Sequence, residues 1–118
     1  MHNALITPDK EFLFSSDSHN IEVWNLKSRI KQKAFDFIVE WQTINCSFDS
    51  KYVFFNFENN ILMQYNLIEM KEEHKYIMVG TIAHSAIDLK DQFLYIVTWL
   101  GEFQIFNLES KKMIGELP

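Results

Sequence analysis

Apolar and polar residues alternate along this chain in short bursts, and the bursts recur. Three segments end alike, in Trp24-Asn25-Leu26, Tyr65-Asn66-Leu67 and Phe106-Asn107-Leu108, at a constant spacing of 41 residues. Each is preceded by apolar positions: Ile21 and Val23, Leu62 and Met63, Phe103 and Ile105. Upstream of each lies a second apolar run: Phe12-Leu13-Phe14, Tyr52-Val53-Phe54-Phe55 and Phe93-Leu94-Tyr95-Ile96-Val97. Short runs of β-branched and aromatic residues around polar turns read as β-hairpins. The turns between the runs are Ser16-Asp17-Ser18-His19-Asn20, Glu58-Asn59-Asn60 and Leu100-Gly101-Glu102.

A further strand is expected before each hairpin, near 3–6, 43–47 and 82–88, after which comes a turn such as Thr7-Pro8-Asp9-Lys10 or Phe48-Asp49-Ser50-Lys51. A more polar strand should follow it, near 31–37, 73–78 and 112–117. Each unit is then four short strands in up-and-down order. The middle two are nearly all apolar, as a sheet covered on both faces requires, and the outer ones carry charge, as edges do. A repeated four-stranded sheet of this length describes a propeller blade. The fold class is all-β: three four-stranded antiparallel blades, approximately 1–40, 41–80 and 81–118, in an open arc. A single β-sandwich is the alternative. The clearest helical stretch, 67–74, lies between strand signals.

The stretch from Thr7 to Leu26 resembles the latter half of a WD repeat. Its Thr-Pro-Asp turn is similar to the family's Ser-Pro-Asp-Gly, and its Ser-x-Asp turn and Ile-x-Val-Trp strand match too. The other two units match in pattern and period more than in identity. The departures are specific. Trp-Asp is replaced by Trp-Asn, Tyr-Asn and Phe-Asn, and no Gly-His precedes a blade. The position of Asp17 is filled by Glu58 and Trp99 in the other units, so the family's buried Asp–His–Ser–Trp network is not expected. The resemblance implies a non-catalytic scaffold that binds proteins or peptides. The alternatives are a fragment of a propeller enzyme, or a truncated propeller without independent function.

Composition narrows this. Hydrophobic residues at 47% and 11 Phe specify a folded chain rather than a disordered one. The net charge of -5 lacks the basic field of a nucleic-acid binder and favours basic partners. Lys27, Arg29, Lys31 and Lys33 read as a solvated strand face. The single Cys46 allows no intrachain disulfide and suits a reducing compartment, hence an intracellular, cytoplasmic location. It falls at an alternating apolar position and is expected to pack as a small hydrophobe. No membrane span and no secretory signal are expected.

Catalytic chemistry finds little material. His2, His19, His74 and His84 show no ligand spacing, and no cofactor or metal is expected. Glu72-Glu73 reads as a solvated edge. Trp24 has the repeat partners Tyr65 and Phe106 and is expected in the core. Trp41 and Trp99 have no such partners; core filling is the plainer reading and interface anchoring the alternative. The partner-binding candidates are the loop residues Asp17, His19, Asn20, Trp41, Glu58, Asn59 and Trp99. Closed propellers have about four to eight blades. Three blades leave an apolar face at each end, so completion of the ring by another chain, by a second copy or by a longer parent protein is expected.

Overall fold

The computed structural model describes residues 3–16, 19–36, 43–88 and 90–117, with Asn3, Glu116 and Leu117 placed by their backbone alone. Blade 1 comprises β1 (Asn3–Ile6), β2 (Phe12–Ser16), β3 (Asn20–Asn25) and β4 (Ile30–Asp36). Blade 2 comprises β5 (Ile44–Cys46), β6 (Tyr52–Glu58), β7 (Ile61–Asn66) and β8 (Lys71–Ile77). Blade 3 comprises β9 (Ile82–Ile87), β10 (Phe93–Thr98), β11 (Phe103–Asn107) and β12 (Met113–Leu117). Each blade is an antiparallel sheet in which every strand pairs with its sequence neighbour. The innermost strands β1, β5 and β9 lie side by side, and β4, β8 and β12 form the outer rim. The described residues hold no helix; the 67–74 stretch is a turn followed by the start of β8.

The recurring asparagine has a structural task. Asn25 Oδ1 accepts hydrogen bonds from the N–H groups of Lys27 and Ser28, both at 2.9 Å. Asn66 serves Ile68 and Glu69, both at 2.9 Å, and Asn107 serves Glu109 and Ser110 at 2.9 and 3.0 Å. A short side-chain acceptor that satisfies backbone donors two and three residues on is the Asx-turn logic. Each of these turns ends on a left-handed residue: Arg29 (φ 60°), Met70 (φ 55°) and Lys111 (φ 63°). Beyond it, a β-bulge recurs at Val23/Trp24, Gln64/Tyr65 and Ile105/Phe106. The 41-residue period is thus a period of backbone conformation as well as of hydrophobicity.

Blade 2 is covered on both faces. Val53, Phe55, Met63 and Tyr65 pack with Phe14, Ile21 and Val23 of blade 1. On the other face, Phe54, Leu62 and Tyr76 pack with Ile82, Leu94, Ile96 and Phe106 of blade 3. The alternation along β6 sends Val53 and Phe55 one way and Phe54 the other. An aromatic residue of the outer strand bridges each boundary edge-on: Phe35 meets Tyr65 at 5.0 Å and 81°, and Tyr76 meets Phe106 at 4.9 Å and 67°.

That packing corrects the reading of Trp24 as core. Tyr65 and Phe106 are 1% and 8% exposed because the preceding blade covers them. Trp24 holds the same place in blade 1, where no described sheet lies against it, and it is only half-buried. Lys31 lies over its ring at 5.8 Å and pairs with Glu22 at 3.7 Å. Glu73 also departs from a purely solvated edge: it is half-buried and reaches Lys111 of blade 3 at 3.7 Å. Lys27, Arg29, Lys31 and Lys33 are exposed, as a solvated face requires.

Candidate functional site

The β6–β7 turn, the β8–β9 link and the β10–β11 turn meet at one end of blades 2 and 3. They enclose an open cleft of about 640 Å³, lined by Asn59, Asn60, Val79, Gly80, Thr81, Trp99 and Leu100. Backbone bonds set its walls. Met78 N–H donates to Asn60 O at 2.8 Å, Ile82 N–H to Asn59 O at 2.7 Å, and Trp99 N–H to Thr81 O at 3.0 Å. The Asn60 amide donates to Met78 O at 3.1 Å. The three turns are therefore stitched together rather than merely adjacent.

Glu102 ties the β8–β9 link to the β10–β11 turn. One of its oxygens accepts from Val79 N–H at 3.2 Å and Gly80 N–H at 3.3 Å, across the blade boundary. The other accepts from the Gln104 amide at 2.9 Å. The β10–β11 turn reverses through Gly101 at φ 92°, a conformation that L side chains resist. That reversal projects the two residues before it. Leu100 is 93% exposed, Trp99 58%, and Val79 on the facing wall 91%. Three large apolar side chains held out into solvent from two adjacent blades form the kind of surface that marks an interaction site.

Of the seven candidates from the sequence, Asn59 and Trp99 line this cleft. Trp99 is exposed, so its core-filling reading is corrected: the two-residue turn after Thr98 has no blade above it to fill. Glu58 closes β6 opposite Ile61 and is exposed, outside the cleft's lining. His19 is exposed and Asn20 opens β3, both at the corresponding turn of blade 1 and outside the cleft. Asp17 and Trp41 lie outside the described residues. Val79, Leu100 and Glu102 were missed. The available signal was the run Val79-Gly80-Thr81, an apolar residue where a polar link is the rule, and the apolar pair Trp99-Leu100 inside a turn.

Elsewhere the chemistry is structural. Cys46 is half-buried against the boundary of blades 1 and 2, and desolvation, helped by Asp9, Asp49 and Asp91, pushes its thiol up to about 12. A thiol so raised is not a nucleophile at neutral pH. Desolvation and Lys111 lower the pKa of His74, whose ring meets that of Tyr76 edge-on at 4.7 Å and 74°. His84 is exposed on β9. Among the described residues no group of three His, Cys, Asp or Glu side chains is placed to hold a metal ion.

Repeated four-stranded blades, stacked through apolar faces with their first strands along one edge, define a partial β-propeller. Its fold is that of WD40-repeat structures. The chain superposes on the crystal structure of the RRP9 WD40 repeats with a TM-score of 0.81 at 14% identity, covering 97% of this chain and 37% of that one. The structure of U3-55K gives 0.81 and 14%, covering 97% and 38%. Kuenenia stuttgartiensis hydrazine synthase gives 0.79 and 10%, covering 96% and 34%. The chain therefore spans little more than a third of these structures. At such identities the likeness defines architecture alone. No sequence-family model matches the chain, and no curated protein sequence matches it.

Proposed function

We propose that this chain is a non-catalytic protein-interaction module, and that the cleft between blades 2 and 3 seats apolar side chains of a partner protein or peptide. The observation that carries this reading is the convergence of Trp99, Leu100 and Val79, all exposed, around one cavity. Asn59 and Asn60 add polar groups to its lining. Small binding sites combine apolar lining with a few convergent polar groups in this way, and Trp is enriched among residues that dominate binding. The net charge of -5 favours basic partners. The lone cysteine supports an intracellular setting, and further blades complete the arc.

The test is selection of a random peptide library on the intact chain, with the recovered peptides titrated against Trp99→Ala and Leu100→Ser. Both residues are exposed, so both variants should melt near the parent. An affinity loss of about tenfold or more is what removal of an interface Trp produces. Peptides that bind both variants as tightly as the parent would remove the cleft as the site.

A further inference from the structure

Three lysines are paired with glutamates: Lys31 with Glu22 at 3.7 Å, Lys71 with Glu69 at 3.1 Å and Lys111 with Glu73 at 3.7 Å. Lys33 and Lys75 differ. Among the described residues neither has a carboxylate within ion-pair distance. Each lies over aromatic rings instead. The Lys33 ammonium is 5.1 Å from the centre of the Phe35 ring and 5.5 Å from that of Tyr65. The Lys75 ammonium is 4.3 Å from the centre of the Phe57 ring. Tyr65 belongs to β7, so Lys33 leans across the boundary from blade 1 to blade 2.

Both ammonium groups belong to one boundary. Residues opposite each other on neighbouring strands share a face of the sheet. Lys33 stands opposite Val23 and Lys75 opposite Met63, and both of those pack between blades 1 and 2. Phe35 and Phe57 pack against the same cluster, half-buried. Ile77, two residues beyond Lys75 and on its face, is 67% exposed. The outer seam between β4 and β8 is therefore apolar, with two cations held on it, in a chain whose net charge is -5. The carboxylate that β8 adds to this face is Glu72, opposite Tyr65 and exposed.

An aromatic ring attracts an ammonium without neutralising it. It also holds the flexible lysine stem in place, which lowers the ordering cost that a partner meets on binding. Two preset cations on an apolar seam suit carboxylates spaced by apolar residues. A nucleic acid would meet only two cations, with Glu72 beside them, rather than the basic field it needs. We propose that the outer seam between blades 1 and 2 docks an acidic, apolar segment of a partner protein. Its carboxylates meet Lys33 and Lys75, and its apolar side chains rest against Phe35, Phe57 and Ile77. This surface is separate from the cleft between blades 2 and 3 and does not depend on it.

Peptides selected from a random library on the 118-residue chain serve as probes, each titrated by fluorescence anisotropy against the parent and three variants. Lys33→Met with Lys75→Met keeps apolar stems over the rings and removes the charges. Glu72→Lys adds a cation to the seam, and Trp99→Ala reports on the cleft. A set of peptides rich in acidic and apolar residues should bind the double variant about tenfold more weakly, as loss of two interfacial ion pairs gives. The same set should bind Glu72→Lys more tightly than the parent and ignore Trp99→Ala. Raising salt from about 0.05 to 0.5 M should weaken their binding to the parent and change that to the double variant little. Should the double variant fail to fold, Gln replaces Met at both positions. The lack of any peptide that depends on the two lysines would overturn the proposal, and so would lysine-dependent peptides without acidic residues. A labelled single-stranded RNA that binds more tightly than the peptides, with the same dependence on Lys33 and Lys75, would assign the seam to nucleic acid and overturn it too. Peptides that respond only to Trp99→Ala would uphold the cleft and remove the seam.

Discussion

The Tyr76 hydroxyl donates a hydrogen bond of 2.7 Å to Gln64 Oε1 inside the boundary between blades 2 and 3, where each residue is 1% exposed. An amide carbonyl in the middle of an apolar interface is tolerable only because the phenol reaches it. Burial and Glu73 raise the phenol's pKa, so it stays protonated and able to donate. Tyr76→Phe keeps the ring against Phe106 and leaves the carbonyl without its donor, which should cost about 1–3 kcal/mol. Denaturant unfolding of Tyr76→Phe, Gln64→Leu and the double variant checks it. The double variant should recover part of the loss, because the two residues are coupled.

Asn25 caps the β3–β4 turn by accepting two backbone N–H groups. A carboxylate can accept the same two, so Asn25→Asp should keep the stability of the parent. Asn25→Ala strands both donors and should cost about 0.5–2 kcal/mol, the range for losing a side-chain cap. Thermal melts of the two variants separate a turn cap from a requirement for the amide itself.

Cys46 should resist thiol reagents. Its thiol is held at about 12, well above the ordinary 9.0 of a cysteine, chiefly by desolvation. At pH 8 the folded chain should react far more slowly with an aromatic disulfide reagent than the chain unfolded in denaturant. The shift also gives a sign for stability. The unfolded state loses this proton first, so the contribution falls as pH rises from 9 toward 12. Cys46→Ala should flatten that decline.

Asp88 does the work that a hydroxyl and a neighbouring aspartate share in the other blades. Its Oδ1 accepts from Gln92 N–H at 2.7 Å and Phe93 N–H at 2.8 Å. Those bonds, with that to Phe93 the largest cause, lower its pKa from 3.8. A lowered carboxylate contributes stability above its unfolded pKa and loses it as pH falls through the folded value. Acid unfolding of Asp88→Asn should therefore depend less on pH below about 4 than that of the parent.

The architecture was legible because the same residue types are needed wherever the same backbone conformation recurs. Asn25, Asn66 and Asn107 cap one turn three times, and the strand residues before them alternate faces in step. Burial was less legible, because it depends on what lies against a face rather than on the face's own pattern. Trp24, Tyr65 and Phe106 are equivalent in sequence, yet only the latter two have a blade in front of them. Exposure of Trp99 was open for the same reason. The cleft was half-visible: Asn59 and Trp99 lie in turns, but their meeting with Val79 needs blades 2 and 3 to be side by side.

Every described strand pairs only with a strand next to it in sequence. A chain wired that way can be dismantled from its ends. Among the described blades, 1 and 3 each have one neighbour, while Phe54, Phe55, Leu62 and Met63 of blade 2 are at most 1% exposed between two. The resistance of such arrays to unravelling is set by neighbour-to-neighbour contacts. Amide protons in β6 and β7 are therefore the ones that should survive longest in heavy water, and a pull on either terminus should peel away a whole blade before it reaches the middle.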